Sequence, residues 1–534
     1  MSRLGTTSAP WDAVIVGGGH NGLVCAALLA KAGKKVLVLE RRERVGGATL
    51  TEEHYPGFRY TVASYVVSLL RPWLWRELDL ARHGLQLIPL ETSFSPYPDG
   101  RSLCRGPDPI ATREEIGAFS RRDAEIYPTF GKSMGRLARF VKRFVDQTAP
   151  DPTSFRPRDL AQLVGHGRAF RELPDDEEAL LTRLLTASAT DFLRETFEAD
   201  ELIAPMSCSG IIGTCLGVSS PGTAYVLLHH YMGEIDGASR AWGLARGGNG
   251  AVADAIASSA QASGVTIRTS AAVDKILVER ERAVGVVLVD GEEIRARTVV
   301  SGCEPRLTML RMVGRDHLPS DYTAGLERYK NRGSSGKVNL SLDFLPEFTC
   351  RPGDGHLRGD IAIAPSTAYL EQAFAEAKAG RWSRRPYLNV VIPSLLDRTM
   401  APPGKHVMSI FVQYAPYHLA DGPSSWPQHR DAFRDDVLDT LQEYCPRLRD
   451  AILHAQVLSP WDLEQELGLT EGNIFHGELT LDQILFQRPV AGWARYKTPV
   501  RDLWMCASGT HPGGGVMGAP GGLCAREMLA AGAL

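Results

Sequence analysis

The stretch DAVIVGGGHNG, at residues 12–22, decides the fold of this chain. Residues 12–17, with the apolar run AVIV at 13–16, predict a parallel strand buried on both faces. The small residues at 20–33 predict a helix that ends at Gly33. The run KVLVLE at 35–40 predicts a second buried strand. Strand, helix and strand at this spacing form a βαβ unit, so we expect an α/β fold.

The glycine spacing within this stretch predicts a dinucleotide site. Gly17 permits the tight turn, Gly19 lets the backbone approach a pyrophosphate, and Gly22 allows the helix to pack closely on the strand. His20 and Asn21 begin the helix, whose free N–H groups and partial positive charge favour phosphate.

The end of the second strand extends the same prediction. Glu40 lies eighteen residues after Gly22, where a carboxylate can accept both hydroxyls of an adenosine ribose. The following residue, Arg41, is a further cofactor contact. Together with Arg42 it would also suit the 2′-phosphate of NADP, although the Glu40 carboxylate would repel that group. Gly46 and Gly47 form a second site of close backbone approach.

A second glycine-rich stretch, SGTHPGGGVMG, lies at residues 508–518 after a strand predicted at 503–507. Its backbone N–H groups precede a predicted terminal helix and can stabilise negative charge on a reduced flavin. We expect His511 to face the flavin ring. Two binding segments at opposite ends of the chain suit an extended FAD better than a nicotinamide cofactor. The cofactor contacts expected here are Gly509, Gly514, Gly515, Val516 and Met517.

A third block begins near residue 240. The segment RGGNG at 246–250 opens a helix predicted at 251–262, and strands are predicted at 265–269, 273–278, 283–289 and 293–301. From this block we expect Gly248, Asn249 and Val273 to contact the cofactor.

The three blocks predict a discontinuous organisation. We expect a Rossmann-like FAD-binding domain from residues 1–105, 240–310 and 490–534. The remaining residues, 106–239 and 311–489, would form a discontinuous α+β substrate-binding domain. A ligand site is expected at the boundary between the two.

Composition excludes several classes of function. The 534 residues carry a net charge of -3, which gives no general attraction for nucleic acid. The nine cysteines include no Cys-x-x-Cys pair, which argues against a disulfide framework, a zinc knuckle or a redox dithiol. No metal-binding spacing is evident. A reducing compartment is the natural interpretation of this cysteine pattern.

Targeting signals are also missing from the sequence pattern. No run of about 18 apolar residues predicts a membrane span, and the segment before Asp12 is too short and polar for a secretory signal. We therefore expect a cytoplasmic protein, with contact to a membrane surface and homo-oligomerisation left open. The apolar segment 65–75 is either such a contact surface or, as base rates favour, a buried lining of the ligand cavity.

Taken together, these motifs resemble the phytoene-desaturase-like branch of the FAD-dependent amine oxidase superfamily. The resemblance covers most of the chain and extends to the segments at 63–72, 225–230, 299–301 and 472–476. It implies non-covalent FAD and hydride transfer from a C–C or C–N bond of a hydrophobic small molecule to flavin N5. It further implies that O₂ or a quinone accepts the electrons.

The resemblance assigns a role to one candidate catalytic residue, Lys337, and the histidines are candidates from their positions and chemistry. Lys337 begins an alternating strand predicted at 337–344. In the similar amine oxidases, a lysine on the corresponding strand holds a water against flavin N5. The alternative is a surface lysine. His230, with His229, and His476 are candidate proton carriers or structural histidines, and His511 completes the set.

Three alternative functions remain open at this stage. One is a flavin amine oxidase, and another is a saturase or isomerase that works on reduced flavin. The third is a flavin-binding protein whose main role is interaction with a partner, with little turnover.

Overall fold

The computed structural model describes residues 11–235 and 237–534, so the N-terminal segment judged unlike a secretory signal lies mostly outside the described residues. Its strands are, in chain order, β1 Trp11–Val16, β2 Val36–Leu39, β3 Thr51–Tyr55, β4 Phe58–Thr61, β5 Leu87–Pro89, β6 Ser93–Pro96, β7 Ser102–Arg105, β8 Glu234–Ile235, β9 Ala238–Ser239, β10 Gly243–Ala245, β11 Thr266–Arg268, β12 Val273–Glu279, β13 Arg282–Leu288, β14 Glu293–Ser301, β15 Ser335–Leu342, β16 Asp360–Ile363, β17 Tyr387–Val391, β18 His406–Gln413, β19 Ile452–Leu458 and β20 Leu503–Met505.

Helices connect these strands, together with short 3₁₀ turns and a π-helical segment at Leu307–Gly314. The α-helices are α1 His20–Lys31, α2 Pro72–Glu77, α3 Pro109–Gly117, α4 Arg121–Val145, α5 Pro157–Arg171, α6 Asp175–Thr186, α7 Ala189–Arg194, α8 Asp200–Ser207, α9 Thr223–His230, α10 Gly250–Ala262, α11 Ser320–Arg328, α12 Thr367–Lys378, α13 Trp426–Gln442, α14 Leu448–Ala451, α15 Pro460–Leu467 and α16 Ala519–Ala530.

The first sheet is the Rossmann-like sheet expected from the sequence. Strands β11, β2, β1, β14 and β20 lie side by side and parallel. Helix α1 packs against α10 and α16 in the core beside this sheet. The N-terminal half of β14 continues into an antiparallel extension with β13 and β12. The carboxyl ends of β1 and β2 meet at one edge, which is where ligands bind in open parallel sheets.

The second sheet has the order β19-β15-β18-β17-β16-β6-β7, antiparallel except for the β16–β6 pair. The apolar face of β15, with Val338 and Leu340, is buried in a core that includes side chains of α13. The opposite, polar face of β15 is buried as well, because it packs on residues 60–63 of the segment that follows β3. The alternative of a surface lysine on this strand is therefore wrong.

Strand pairing corrects one part of the expected organisation. The sequence places residues 1–105 in the domain of the first sheet. In the structure, β6 pairs with β16 and β7 pairs with β6, so both strands belong to the second sheet. Residues 102–105 follow a tight turn at Tyr97–Arg101 that folds β7 back on β6, and such a hairpin carries no signal of the sheet it joins. Tyr322 and Leu326, beyond the expected boundary at 310, pack in the core of the first sheet. The division into two domains stays a proposal.

The apolar segment 65–75 is largely buried. Val67, Leu70 and Leu74 lie in the core beside the first sheet, and residues 65, 66, 68 and 69 line a cavity. The burial of residues 67–71 and Leu74 favours the interpretation of this segment as a buried cavity lining. Among the helices of the described residues, none has the length and apolar composition to cross a membrane.

Candidate active site

Two adjoining cavities form one cleft between the sheets. The first, of about 320 Å³, follows the β1–α1 turn and the end of β2. The second, of about 100 Å³, lies between β15, the 63–69 segment and the C-terminal glycine stretch. They share His20, Ala48, Ile474 and Ser508 as lining residues. A cleft of this shape suits a long ligand that enters both cavities.

The β1–α1 turn has the geometry that its glycines predicted. Gly17 has a φ of +96°, which favours glycine. A Cβ at Gly22 would lie 2.3 Å from the carbonyl oxygen of Gly17, so helix and turn touch there. A Cβ at Gly19 would meet no atom within 4 Å, because this residue faces the first cavity. The turn therefore leaves room for a phosphate close to the backbone at the start of α1.

Glu40 is held in place for hydrogen bonding at the end of β2. Its two carboxylate oxygens accept from the backbone N–H groups of Gly18 at 2.8 Å and Arg42 at 2.9 Å. The residue is buried and lines the first cavity. Each oxygen keeps a further lone pair, so the carboxylate can still accept ribose hydroxyls, as predicted.

Several buried polar atoms at the cleft have no hydrogen-bond partner among the described residues. They are Nε2 of His20, Oδ1 of Asn21 and Nδ1 of His476. Burial lowers the pKa of His20 to about 4 and that of His476 to about 4, so both rings are neutral at pH 7. Unpartnered polar atoms are rare in protein interiors. Three of them on one cleft wall fit a polar cofactor such as FAD.

The C-terminal stretch closes the cleft beside α1. The amide Nδ2 of Asn21 donates to Oγ of Ser508 at 3.1 Å, which joins the two glycine-rich ends. Gly515 and Val516 line the second cavity, where Gly515 has a φ of +116° and Val516 a φ of +56°. The final helix begins only at Ala519. The predicted contact of both chain ends with one ligand is therefore consistent with the geometry.

Lys337 is buried at the second cavity. Its Nζ donates to the carbonyl oxygen of Ala63 at 3.2 Å and lies 5.3 Å from the ring centre of Tyr65. Burial lowers the pKa of the Lys337 ammonium to about 7. The rest of the lining is largely apolar and aromatic and includes Trp242, Phe411 and Phe475. Lys337 can therefore hold or exchange a proton near neutral pH in a dry environment.

His230 also reaches this cavity. Its Nδ1 contacts the carbonyl oxygen of Val226 at 2.9 Å, and its ring stacks on Phe475 at 6.4 Å. Burial lowers its pKa to about 4. The preceding His229 is buried and does not line the cleft; burial lowers its pKa to about 3. His230 is thus a neutral lining residue, and its catalytic role stays a prediction.

His511 does not face the cleft, which corrects the expectation that it faces the flavin ring. Its Nε2 lies 3.0 Å from the carbonyl oxygens of Phe144 and Gln147, and the residue is 1% exposed. It lines neither of the two cavities. The ring instead joins the C-terminal stretch to the end of α4, a structural role that its sequence position does not reveal.

The other expected cofactor residues divide into two groups. Residues that line the first cavity are Gly17, Gly19, His20, Asn21, Gly22, Glu40, Arg41, Gly47 and Val273. Residues that line neither cavity are Gly46, Gly248, Asn249, Gly509, Gly514 and Met517, and their contact with the cofactor stays a prediction. Three of these glycines are closely packed, because a Cβ would lie 2.4 Å from Thr51 at Gly248, 2.3 Å from Pro305 at Gly509 and 2.5 Å from Phe475 at Gly514. Oδ1 of Asn249 accepts a hydrogen bond from the backbone N–H of Ala245 at 3.2 Å.

Other lining residues carried no usable sequence signal. Cys303 and Arg311 approach the first cavity from the end of β14 and the π-helical segment, and Ile212 and Phe411 reach the second. Single apolar or charged residues on ordinary elements look alike whether they line a cavity or a core. At residues 467–469, which also line the first cavity, the sequence does carry a feature that predicts a helix end, namely Gly468, which terminates α15 with a φ of +71°.

Comparisons with known proteins agree with this geometry. The family model of flavin containing amine oxidoreductase matches residues 22–446. The mouse (Mus musculus) pyridine nucleotide-disulfide oxidoreductase domain-containing protein 2 is 40% identical, over 97% of this chain and 93% of its own length. The lycopene-forming phytoene desaturase of Pseudescherichia vulneris is 24% identical, over 95% of this chain and 96% of its own.

Among solved structures, an oxidoreductase from Methanosarcina mazei is similar, with a TM-score of 0.59 and 18% identity, over 97% of this chain and 99% of that one. This likeness supports the fold. The family model covers most of the chain, and the mouse relative aligns over nearly all of it. The chain belongs to the flavin containing amine oxidoreductase family, and it is an FAD-dependent oxidoreductase.

Proposed function

We propose that this oxidoreductase removes a hydride from a C–C or C–N bond of an apolar small molecule bound in the second cavity. The observation that carries the proposal is Lys337, a buried amine in an otherwise largely apolar cavity that continues into the cofactor cleft. FAD, when bound, supplies the hydride acceptor at flavin N5.

The cavity lining suits an apolar substrate. Tyr65 and Phe411 stack at 5.3 Å between ring centres, and Trp242 packs edge-on against Tyr65 at 6.4 Å. Aromatic walls bind apolar groups and exclude water, which protects a reactive intermediate. The phytoene desaturase relative forms lycopene, an apolar hydrocarbon, which supports a substrate of this class.

Lys337 has the properties required to manage a proton. With its pKa lowered to about 7, Nζ is partly neutral at physiological pH and can accept a proton or position a water molecule. Its hydrogen bond to Ala63 fixes the direction of the side chain. We propose that Lys337 holds the proton or water beside the bond that is oxidised.

The charge of the lining favours a substrate that is not a cation. Among the described residues that line the second cavity there is no Asp or Glu. A substrate ammonium buried there would have Lys337 nearby and no counter-charge, which costs free energy. We therefore favour C–C oxidation over oxidation of a charged amine. O₂ or a quinone as the electron acceptor belongs to the same proposal.

The test is an anaerobic titration of the purified holoenzyme, followed by flavin absorbance. We expect apolar alkenes and isoprenoids to bleach the flavin and matched alkyl ammonium compounds to leave it oxidised. Bleaching by amines alone would favour an amine oxidase. Turnover without net consumption of an acceptor would favour an isomerase, and reduction by none of them would favour a partner-binding protein.

Lys337→Met separates the role of the lysine from cofactor binding. We expect this variant to retain FAD, because Lys337 does not line the first cavity, and to slow flavin reduction or reoxidation. Unchanged rates in both half-reactions would contradict the role proposed for Lys337. Mixing the reduced enzyme with oxygen or with a soluble quinone then identifies the acceptor by the faster return of absorbance.

A further inference from the structure

A third cavity, of about 450 Å³, adjoins the apolar one. The two share His230 and Trp242 as lining residues, which lie at the end of α9 and just before β10. The third cavity differs from the second in chemistry, because polar and charged side chains from β7, α4, β16 and the loop after β9 line it. A single ligand can therefore have an apolar end and a polar end in this region.

Two arginines face the third cavity. Arg105 donates through Nη2 to Oγ of Ser93 at 3.0 Å, and its buried Nε has no partner among the described residues. Arg240 lies with its guanidinium carbon 4.5 Å from the ring centre of Tyr231. Within residues 11–235 and 237–534, neither guanidinium forms an ion pair with a carboxylate. Two guanidinium groups that line one cavity and form no direct ion pair suit the binding of an anion.

Arg105 and Arg240 act on a shared neighbour, Tyr127, which also lines this cavity. Burial alone would raise the pKa of Tyr127, yet Arg105 and Arg240 reverse this effect and lower it. The nearby carboxylates do not cancel the arginines. Glu91 is engaged by Arg358, with an Nε–Oε2 distance of 2.7 Å. Among the described residues that line this cavity, the two arginines therefore face one further carboxylate, that of Asp360.

Asp360 does not neutralise the arginines directly. Its Oδ2 accepts weakly from Oγ of Ser93 at 3.4 Å and Nδ2 of Asn389 at 3.3 Å. Burial raises the pKa of this carboxyl, against the opposing effect of Arg105. Counted over the described lining residues, with Asp360 ionised and Glu91 paired to Arg358, the cavity has an excess of one positive charge, which a monoanion would neutralise.

We propose that the substrate is an amphipathic carboxylic acid whose carboxylate binds Arg105 and Arg240 while its apolar chain passes His230 and Trp242 into the cavity of Lys337. This inference rests on the proposed function for the position of the apolar end. Arginine presents its N–H groups in a planar fork that matches a carboxylate. The hydroxyl of Tyr127 can donate a further hydrogen bond.

Calorimetric titration of the holoenzyme tests the proposal, with octanoate and octan-1-ol as matched probes. We expect octanoate to bind about tenfold or more tightly than the alcohol. Arg105→Met and Arg240→Met should each remove this preference while leaving the affinity for octan-1-ol unchanged. Arg105→Lys should retain part of the preference for octanoate, because lysine keeps the positive charge but lacks the planar guanidinium group.

A surface arginine and the flavin absorbance serve as controls for the arginine variants. Arg447, whose side chain is 73% exposed and lies 3.5 Å from Asp450, is the matched site, and Arg447→Met should change neither affinity. All variants should keep their flavin absorbance, since neither cavity arginine lines the cofactor cleft. Equal affinity for both probes, binding of neither, or equal losses for both in the variants would overturn the proposal. Tighter binding of octyl phosphate than octanoate would overturn the assignment of a carboxylate.

The two proposals fail separately. Binding of octanoate needs no turnover, so a selective loss in the arginine variants would support the anion site even if no apolar compound bleached the flavin. Conversely, bleaching by neutral isoprenoids combined with no preference for octanoate would support the proposed function and remove the anion site.

Discussion

Replacing Lys337 with methionine should raise the thermal stability of the protein at pH 6 and change it little near pH 10. The ordinary pKa of lysine is 10.5, and burial lowers that of Lys337 to about 7. Between these values the unfolded chain binds one proton more than the folded chain, so the stability of the wild type rises with pH. Below pH 7 both states hold the proton, and the full cost of burying the ammonium is present.

The size of this effect follows from the two pKa values. The difference between 10.5 and about 7 corresponds to at most about 5 kcal/mol, at roughly 1.4 kcal/mol for each pH unit. Unfolding entropy of about 2.1 cal/mol/K per residue gives roughly 1.1 kcal/mol/K for the whole chain. A cooperative transition would therefore show a Tm gain of about 4 °C for Lys337→Met at pH 6.

Thermal unfolding of the holoenzyme, followed by circular dichroism from pH 6 to pH 10, measures this gain. Lys275→Met, at an exposed lysine on β12, is the control and should give a Tm difference that does not vary with pH. The same Tm difference at pH 6 and pH 10 for Lys337→Met would refute the burial of this ammonium, and with it the proton role derived for the cavity.

Other variants test the remaining parts of the site. Gly22→Ala should abolish FAD binding, measured as flavin absorbance per chain, because its Cβ would lie 2.3 Å from the carbonyl oxygen of Gly17. Gly19→Ala should still fold, as measured by circular dichroism, because its Cβ would have no atom within 4 Å. Glu40→Gln should weaken FAD about tenfold in fluorescence titrations, because a charged acceptor is lost; an unchanged Kd would contradict its contact with the ribose. His511→Phe should cost about 1–3 kcal/mol of unfolding free energy through the orphaned carbonyls and leave flavin reduction unchanged; a slow but stable variant would restore its catalytic role.

Local patterns predicted the cofactor sheet well. The strand predicted at 293–301 has the same bounds as β14 in the structure. The helix predicted at 251–262 corresponds to α10, which begins one residue earlier. Both depend on periodicity within a short window and on glycine or small residues at the helix ends. The βαβ unit at 12–40 was predictable for the same reason.

Contacts between distant segments were not predictable in this way. The motif at 246–250 predicts cofactor contact for Gly248 but not its close packing on Thr51, almost two hundred residues earlier. The sequence leaves open whether the polar face of β15 is exposed, and in the structure this face contacts Tyr60, Val62 and Ala63. Each of these positions depends on how two sheets pack together, and alternation along one strand does not carry that information.

The substrate side of the cleft was the least predictable. Arg105 and Arg240 are separated by more than a hundred residues and belong to no motif, yet they face one cavity. The same holds for Ile212 and Phe411 in the apolar cavity. Their sequence environments resemble those of ordinary strand and helix residues, so only the tertiary structure brings them together.

The visible absorbance spectrum of the purified protein, before and after acid precipitation, tests the central claim most directly. We expect a yellow protein with one flavin per chain, and FAD released into the supernatant when the protein is precipitated. A colourless protein, FMN in the supernatant, or flavin that stays with the precipitated chain would contradict non-covalent FAD in the cleft between β1, Glu40 and the C-terminal glycines.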